Sequence, residues 1–124
     1  MANIRTFHDL DVWRKAHELV LLVYKITKTF PKEELYVLVA QIRRAAISIT
    51  ANIVEGFRRK TLKDSLNFYR MADASLEELK YHIFLSHDLG YISDSEYNVI
   101  VSLCEEVGKL LTRWIQSQET YLNA

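Results

Sequence analysis

Glycine and proline are almost missing from this chain: 3 Gly and 1 Pro among 124 residues. A fold of many short strands needs turn residues every few positions, so such scarcity favours long helices. The apolar pattern agrees. Four long segments repeat at helical period, and the few breakers fall between them.

The first segment runs over about 9–29. Val12, Ala16, Leu19, Val20, Val23 and Thr27 recur at spacings of three and four and form one stripe. Asp9 or Asp11 is the expected N-cap, because a side-chain oxygen there accepts an orphan N–H. Phe30-Pro31 ends the segment, since the residue before proline is pushed out of the α region. The second segment, about 32–57, carries Leu35, Leu38, Val39, Ile42, Ala46, Ile49 and Ile53, with Gly56 near its end, where glycine often relaxes a helix.

The third segment covers about 62–89. Thr61 and Asp64 fit a capping box with Asp in place of Glu. Its stripe is Leu62, Leu66, Tyr69, Ala72, Leu76, Leu79 and Ile83, and Gly90 is placed to close it. The fourth covers about 94–120, with a full capping box at Ser93 and Glu96. Tyr97, Ile100, Val101, Cys104, Val107, Leu111, Trp114 and Ile115 line its inner face. Short connections force neighbours to run antiparallel. The expected fold is all-α: an antiparallel up-and-down four-helix bundle forming a single domain over 1–124.

Some apolar residues lie outside these stripes. Trp13, Leu21 and Tyr24 do so in the first segment, and Phe68, Met71 and Phe84 in the third. They point to burial against another subunit or to a wider core-facing stripe.

Acidic and basic residues balance, 16 against 16. The balance conceals an asymmetry. Residues 1–63 hold 12 Lys/Arg and 6 Asp/Glu, a net of +6; residues 64–124 hold 4 and 10, a net of −6. One reading is a basic binding face. The other is mutual neutralisation within the bundle or between subunits.

Catalytic and metal signatures are missing. A di-iron bundle needs Glu-x-x-His pairs, and no histidine here follows a glutamate by three. Glu78 and His82 share a face, but one such pair makes no metal site. Cys104, the sole cysteine, lies within an apolar stripe, where a buried structural thiol is the default. No Gly-x-Ser-x-Gly elbow or phosphate loop occurs. The expectation is a non-enzyme without cofactor or metal. One cysteine, no signal-like leader and apolar runs such as Leu19–Tyr24, far short of the ~20 residues that span a bilayer, point to a cytoplasmic protein with no membrane partner.

Two polar features stand out. Gln41, Arg44, Ser48, Asn52 and Glu55 form a polar line along the second segment, and Asp73, Glu77 and Lys80 share a face of the third. These residues can form an interhelical network in which Arg44 pairs with Asp73 or Glu77, so that Arg44→Ala clearly lowers Tm. They can also form a solvated face. The second feature is the cluster Arg58, Arg59, Lys60 and Lys63 at the turn between segments two and three, which with Arg43 supplies candidate phosphate contacts. Cations at a helix C-terminus are also favourable for the helix alone. Aromatic interleaving is thin, with Phe57 and Phe68 nearby, and does not indicate base stacking.

Six short motifs carry a resemblance. They are Phe7-x-x-Leu10-x-Val12-Trp13, Phe30-Pro31-x-x-Glu34, Gln41-Ile42-Arg43-Arg44-Ala45-Ala46-x-Ser48-Ile49, Ala51-Asn52-Ile53-x-Glu55-Gly56, Ala74-Ser75-Leu76-x-Glu78-Leu79 and Leu89-Gly90-Tyr91-Ile92. In this order and spacing the chain resembles the bacterial four-helix bundle proteins associated with intervening sequences of 23S ribosomal RNA genes. That family is similar to the accessory protein of diversity-generating retroelements, which partners a reverse transcriptase. The resemblance implies a homo-oligomer, a ring-like pentamer, with a connection to RNA or DNA or to a protein partner such as a reverse transcriptase, and no enzyme activity. The retroelement proteins are strongly basic, whereas this chain is neutral. The function expected first is therefore a pentameric bundle that binds nucleic acid through basic residues. The alternative is a protein–protein scaffold or adaptor without direct nucleic-acid binding.

Overall fold

A computed structural model describes residues 3–123. Four helices follow one another: α1 (Asp11–Thr27), α2 (Leu38–Arg58), α3 (Leu62–Asp88) and α4 (Asp94–Leu122). Short 3-10 turns precede α1 and α2, at Phe7–Asp9 and Lys32–Glu34. α1 packs on α2 and α4, and α3 packs on the same two helices, most extensively on α2. The result is an all-α four-helix bundle. α1 therefore begins at the end of the bundle where α2 stops and α3 starts.

The stripes meet inside. Ala16, Leu19, Ile42, Ala46, Ile49, Ile53, Ala72, Leu76, Leu79, Ile100, Val107 and Leu111 are fully buried. Each buried Leu or Ile contributes roughly 1.5–3 kcal/mol over its exposed state. Phe30 and Ile92 close the far end.

Helix boundaries differ from the sequence expectation in instructive places. Neither Asp9 nor Asp11 caps α1. Leu10 occupies the N-cap, and Asp9 instead accepts the backbone N–H groups of Arg5 (2.8 Å) and Thr6 (3.0 Å), tightening the preceding turn. α2 begins at Leu38 rather than near residue 32. Val37 departs from helical backbone (φ −117°, ψ −93°), and Leu35 turns outward. The stretch before it is anchored elsewhere: the Tyr91 hydroxyl donates to the Glu34 carboxylate at 2.9 Å, and Phe30 packs on the Tyr91 ring.

At α3 only one arm of the expected capping box forms, from Asp64 N–H to Thr61 Oγ1 (3.2 Å). Aspartate is one methylene shorter than the glutamate that makes the return bond. α4 has both arms, Glu96 N–H to Ser93 Oγ and Ser93 N–H to Glu96 Oε1. Gly90 ends α3 at φ +79°, with Tyr91 N–H bonded to the Ser86 carbonyl and Gly90 N–H to that of His87. That pair of bonds is the Schellman closure, which favours glycine at the left-handed position.

Candidate nucleic-acid interface

The polar line of α2 faces α3. Gln41 Oε1 accepts from Arg44 Nε (3.1 Å) and Nη2 (2.9 Å), and Arg44 forms an ion pair with Glu78. Glu78 also shares a hydrogen bond with His82 Nε2 at 2.8 Å. That bond and the nearby Arg44 charge hold the Glu78 carboxyl below its ordinary value, against a smaller opposing effect of burial. One turn on, Ser48 Oγ meets Ser75 Oγ at 2.8 Å, and Asn52 Nδ2 donates back to the Ser48 carbonyl (2.8 Å) and hydroxyl (3.0 Å). Glu55 pairs along its own helix with Arg59.

The partner of Arg44 is thus Glu78, not Asp73 or Glu77. Ser75, Glu78 and His82 follow one another at three and four residues and share the edge of α3 that looks at α2. Glu77 is rotated about 100° away; it bonds Lys80 (3.0 Å), and with Asp73 it lines a cleft toward α4 beside Glu105 and Lys109. The Arg44–Glu78 pair is also exposed, with 54% and 39% of the side-chain surface open.

The five candidate phosphate contacts do not form one patch. Arg43 lies about 22 Å along α2 from Arg58, at 1.5 Å per residue. Its Nε donates to Thr27 Oγ1 (3.0 Å) and its guanidinium lies 4.4 Å from the centre of the Tyr24 ring, so it clamps α1 to α2. Arg59 is held by Glu55 and rests 4.6 Å above Phe68. Arg58, Lys60 and Lys63 are exposed at the α2–α3 turn and make no ion pair among the described residues. Of the five candidates, these three are the ones not engaged by another side chain among the described residues.

The fold adds residues that linear reading passed over. The Phe7–Asp9 turn packs on α2, and Arg5, Thr6, Phe7 and His8 share a cleft with Phe57 and Arg58. Some fifty residues separate the two halves of this cleft in the chain. The only signal available was topological: in an antiparallel hairpin the start of α1 meets the end of α2.

Gly56 also has a different role from the one expected. It is buried within α2, where its missing side chain admits the Tyr69 ring.

Reactive chemistry is sparse. Burial pushes the Cys104 thiol up to about 12, which keeps it protonated and unreactive at neutral pH. Among the described residues no three His, Cys, Asp or Glu side chains gather to hold a metal ion. No helix of the described residues is long and apolar enough to cross a membrane.

Comparison with known proteins gives a consistent picture. No curated protein matches the chain. A protein of unknown function from the S23 ribosomal protein family of Bacteroides thetaiotaomicron, known from its crystal structure, is similar in fold, with a TM-score of 0.79 and 28% sequence identity. The similarity covers 85% of this chain and 95% of that one. The model of the 23S rRNA-intervening sequence protein family matches residues 8–113. With that span covering most of the bundle, the chain belongs to the 23S rRNA-intervening sequence protein family.

Proposed function

We propose that this protein is a non-catalytic cytoplasmic bundle that assembles head to tail into a homo-oligomeric ring, a pentamer as the resemblance implies, and uses its α2–α3 turns to grip the phosphates of RNA or DNA. The observation that carries this reading is the trio Arg58, Lys60 and Lys63, exposed and without ion-pair partners among the described residues. Clustered cations without ion-pair partners keep their charge for a ligand.

Two apolar surfaces support the ring. One lies over α2, where Tyr24, Leu35, Tyr36 and Ile47 border a groove rimmed by Arg43 and Arg44. The other lies between α3 and α4, where Tyr81, Phe84 and Val101 border a cleft rimmed by Glu77, Lys80 and Glu105. Tyr36 is 89% exposed, Tyr81 60% and Phe84 51%. The two surfaces differ in residues and in the charges at their rims. Pairing one with the other gives a heterologous contact, which closes into a ring when the rotation permits. Side-by-side assembly of this kind repeats the basic turn along one rim. Several weak phosphate contacts then act together.

Native mass spectrometry on protein purified without nuclease, followed by binding to labelled RNA and DNA over a salt series, tests the proposal. The expected result is a pentamer whose affinity falls with salt. Arg58→Gln, Lys60→Gln and Lys63→Gln together should flatten that dependence, because each lost phosphate contact removes about 0.7–0.9 from the logarithmic slope. A pentamer that ignores nucleic acid at low salt is instead a scaffold or adaptor for a protein partner. A monomer defeats the ring.

A further inference from the structure

The basic end of the bundle holds more than cations. A cleft of about 190 Å³ opens there between the N-terminal turn and the end of α2. Phe7 and His8 form one side, and their rings stack at 4.1 Å between centroids. Trp13 braces this pair edge-on, at 4.9 Å from Phe7 and 5.0 Å from His8, and His17 lies flat on Trp13 at 5.0 Å. Phe57 supplies the other side, with Arg5 and Arg58 at the margin. Phe7 and Phe57 are only half-buried, and His8, Arg5 and Arg58 are exposed. Among the described residues the arginines engaged in ion pairs are Arg14, Arg44, Arg59 and Arg70; Arg5 and Arg58 are not among them.

We infer that this cleft receives an unpaired base of a single-stranded polynucleotide, held between the Phe7–His8 stack and Phe57, while Arg5 and Arg58 hold the flanking phosphates. The inference deepens the phosphate-binding reading and rests on it. Its physical basis is the pairing of two surfaces that a nucleotide also pairs. Aromatic faces match the π-face of any base, and the guanidiniums match the phosphates on either side. A duplex has its base faces already stacked and offers this cleft only phosphates. An acidic peptide would satisfy the arginines and leave the aromatic faces uncovered. The Phe7–His8 pair is held by Trp13 before any ligand arrives, so little ordering cost falls on binding.

The test uses the full chain carrying Trp114→Phe, which leaves Trp13 as the reporting tryptophan, since the sequence has two. It is titrated at low salt with a short mixed-sequence RNA, a DNA strand of the same sequence, and an abasic strand of equal length. The base-bearing strands should bind about tenfold tighter than the abasic strand and perturb Trp13 emission. Phe7→Leu and, separately, the surface change His8→Ala should shrink that gap to about twofold. Both should leave abasic affinity and the thermal transition in place. Whichever of RNA and DNA shows the larger gap identifies the sugar the cleft prefers. Equal affinity for base-bearing and abasic strands overturns the base site and leaves the phosphate reading standing. Failure of every strand to bind overturns both.

Discussion

Gly56 of α2 lies so close to Tyr69 of α3 that a β-carbon at position 56 would stand 2.5 Å from Cε1 and 2.8 Å from Cδ1 of the ring, and 3.0 Å from the Ser65 carbonyl oxygen. Tyr69 is buried and meets Trp114 edge-on at 5.9 Å, so the ring has little room to retreat. Gly56→Ala therefore destabilises the fold. Overpacking costs about 1–3 kcal/mol, against about 1 kcal/mol gained from alanine's helix propensity. Thermal unfolding should show Tm lowered by several degrees. Gly108 gives the contrasting case. A β-carbon there meets only Leu76 Cδ2 at 3.4 Å, in ordinary contact. Gly108→Ala should raise stability by about 0.5 kcal/mol through propensity. If Gly56→Ala raises Tm as Gly108→Ala does, the close approach of α2 and α3 at Gly56 is wrong.

Arg44→Ala should cost well under 1 kcal/mol, because its pair with Glu78 is exposed and screened. The interhelical-network reading of the sequence, with Asp73 or Glu77 as the partner, led to a clear loss of Tm. Urea unfolding of Arg44→Ala and Glu78→Gln, singly and together, measures the coupling. A coupling above about 2 kcal/mol would require the pair to be shielded from water.

Acid should weaken the protein partly through Glu78. Its folded pKa lies below the ordinary 4.5, mainly because of the His82 hydrogen bond. A depressed carboxylate pKa stabilises the fold fully above the unfolded value, and the contribution disappears as pH falls through the folded value. Glu78→Gln should show a small Tm deficit near neutrality that fades as pH falls through the lowered folded value. A deficit that persists in acid would assign the loss to packing rather than charge.

Cys104 should resist thiol reagents in the folded protein. Its thiol is buried and pushed up to about 12, so attack waits for the core to open. A thiol-specific chromophore at neutral pH should react within the mixing time in denaturant and far more slowly without it. Immediate labelling of native protein would mean that α4 does not seat Cys104 against the core.

Helix number, helix type and most of the core were legible in the chain, because they depend on local signals. The α3 stripe is buried from Leu66 through Tyr69, Ala72, Leu76, Leu79 and Ile83 as its spacing required, with Leu62 at the helix start only partly so, and Gly90 adopts the left-handed conformation that only a helix end asks of it. Boundaries were harder where distant contacts compete with local pattern. Leu35 fits the α2 stripe, yet the bond from Tyr91 to Glu34 holds the preceding turn elsewhere and the helix starts late. The candidate site was legible as a list of cations and not as a place. Periodicity shows which residues share a helix face; it does not show which face meets which neighbour, or at what height. Only packing could separate Arg43, committed to Thr27 and Tyr24, from Arg58 at the far end of the same helix. Pairing Arg44 with Glu78 rather than Glu77 depends on the rotation of α3 against α2, a quantity set by the whole interface. The aromatic wall beside Arg58 comes from residues some fifty positions earlier in the chain, and such long-range contacts leave no local trace in the sequence.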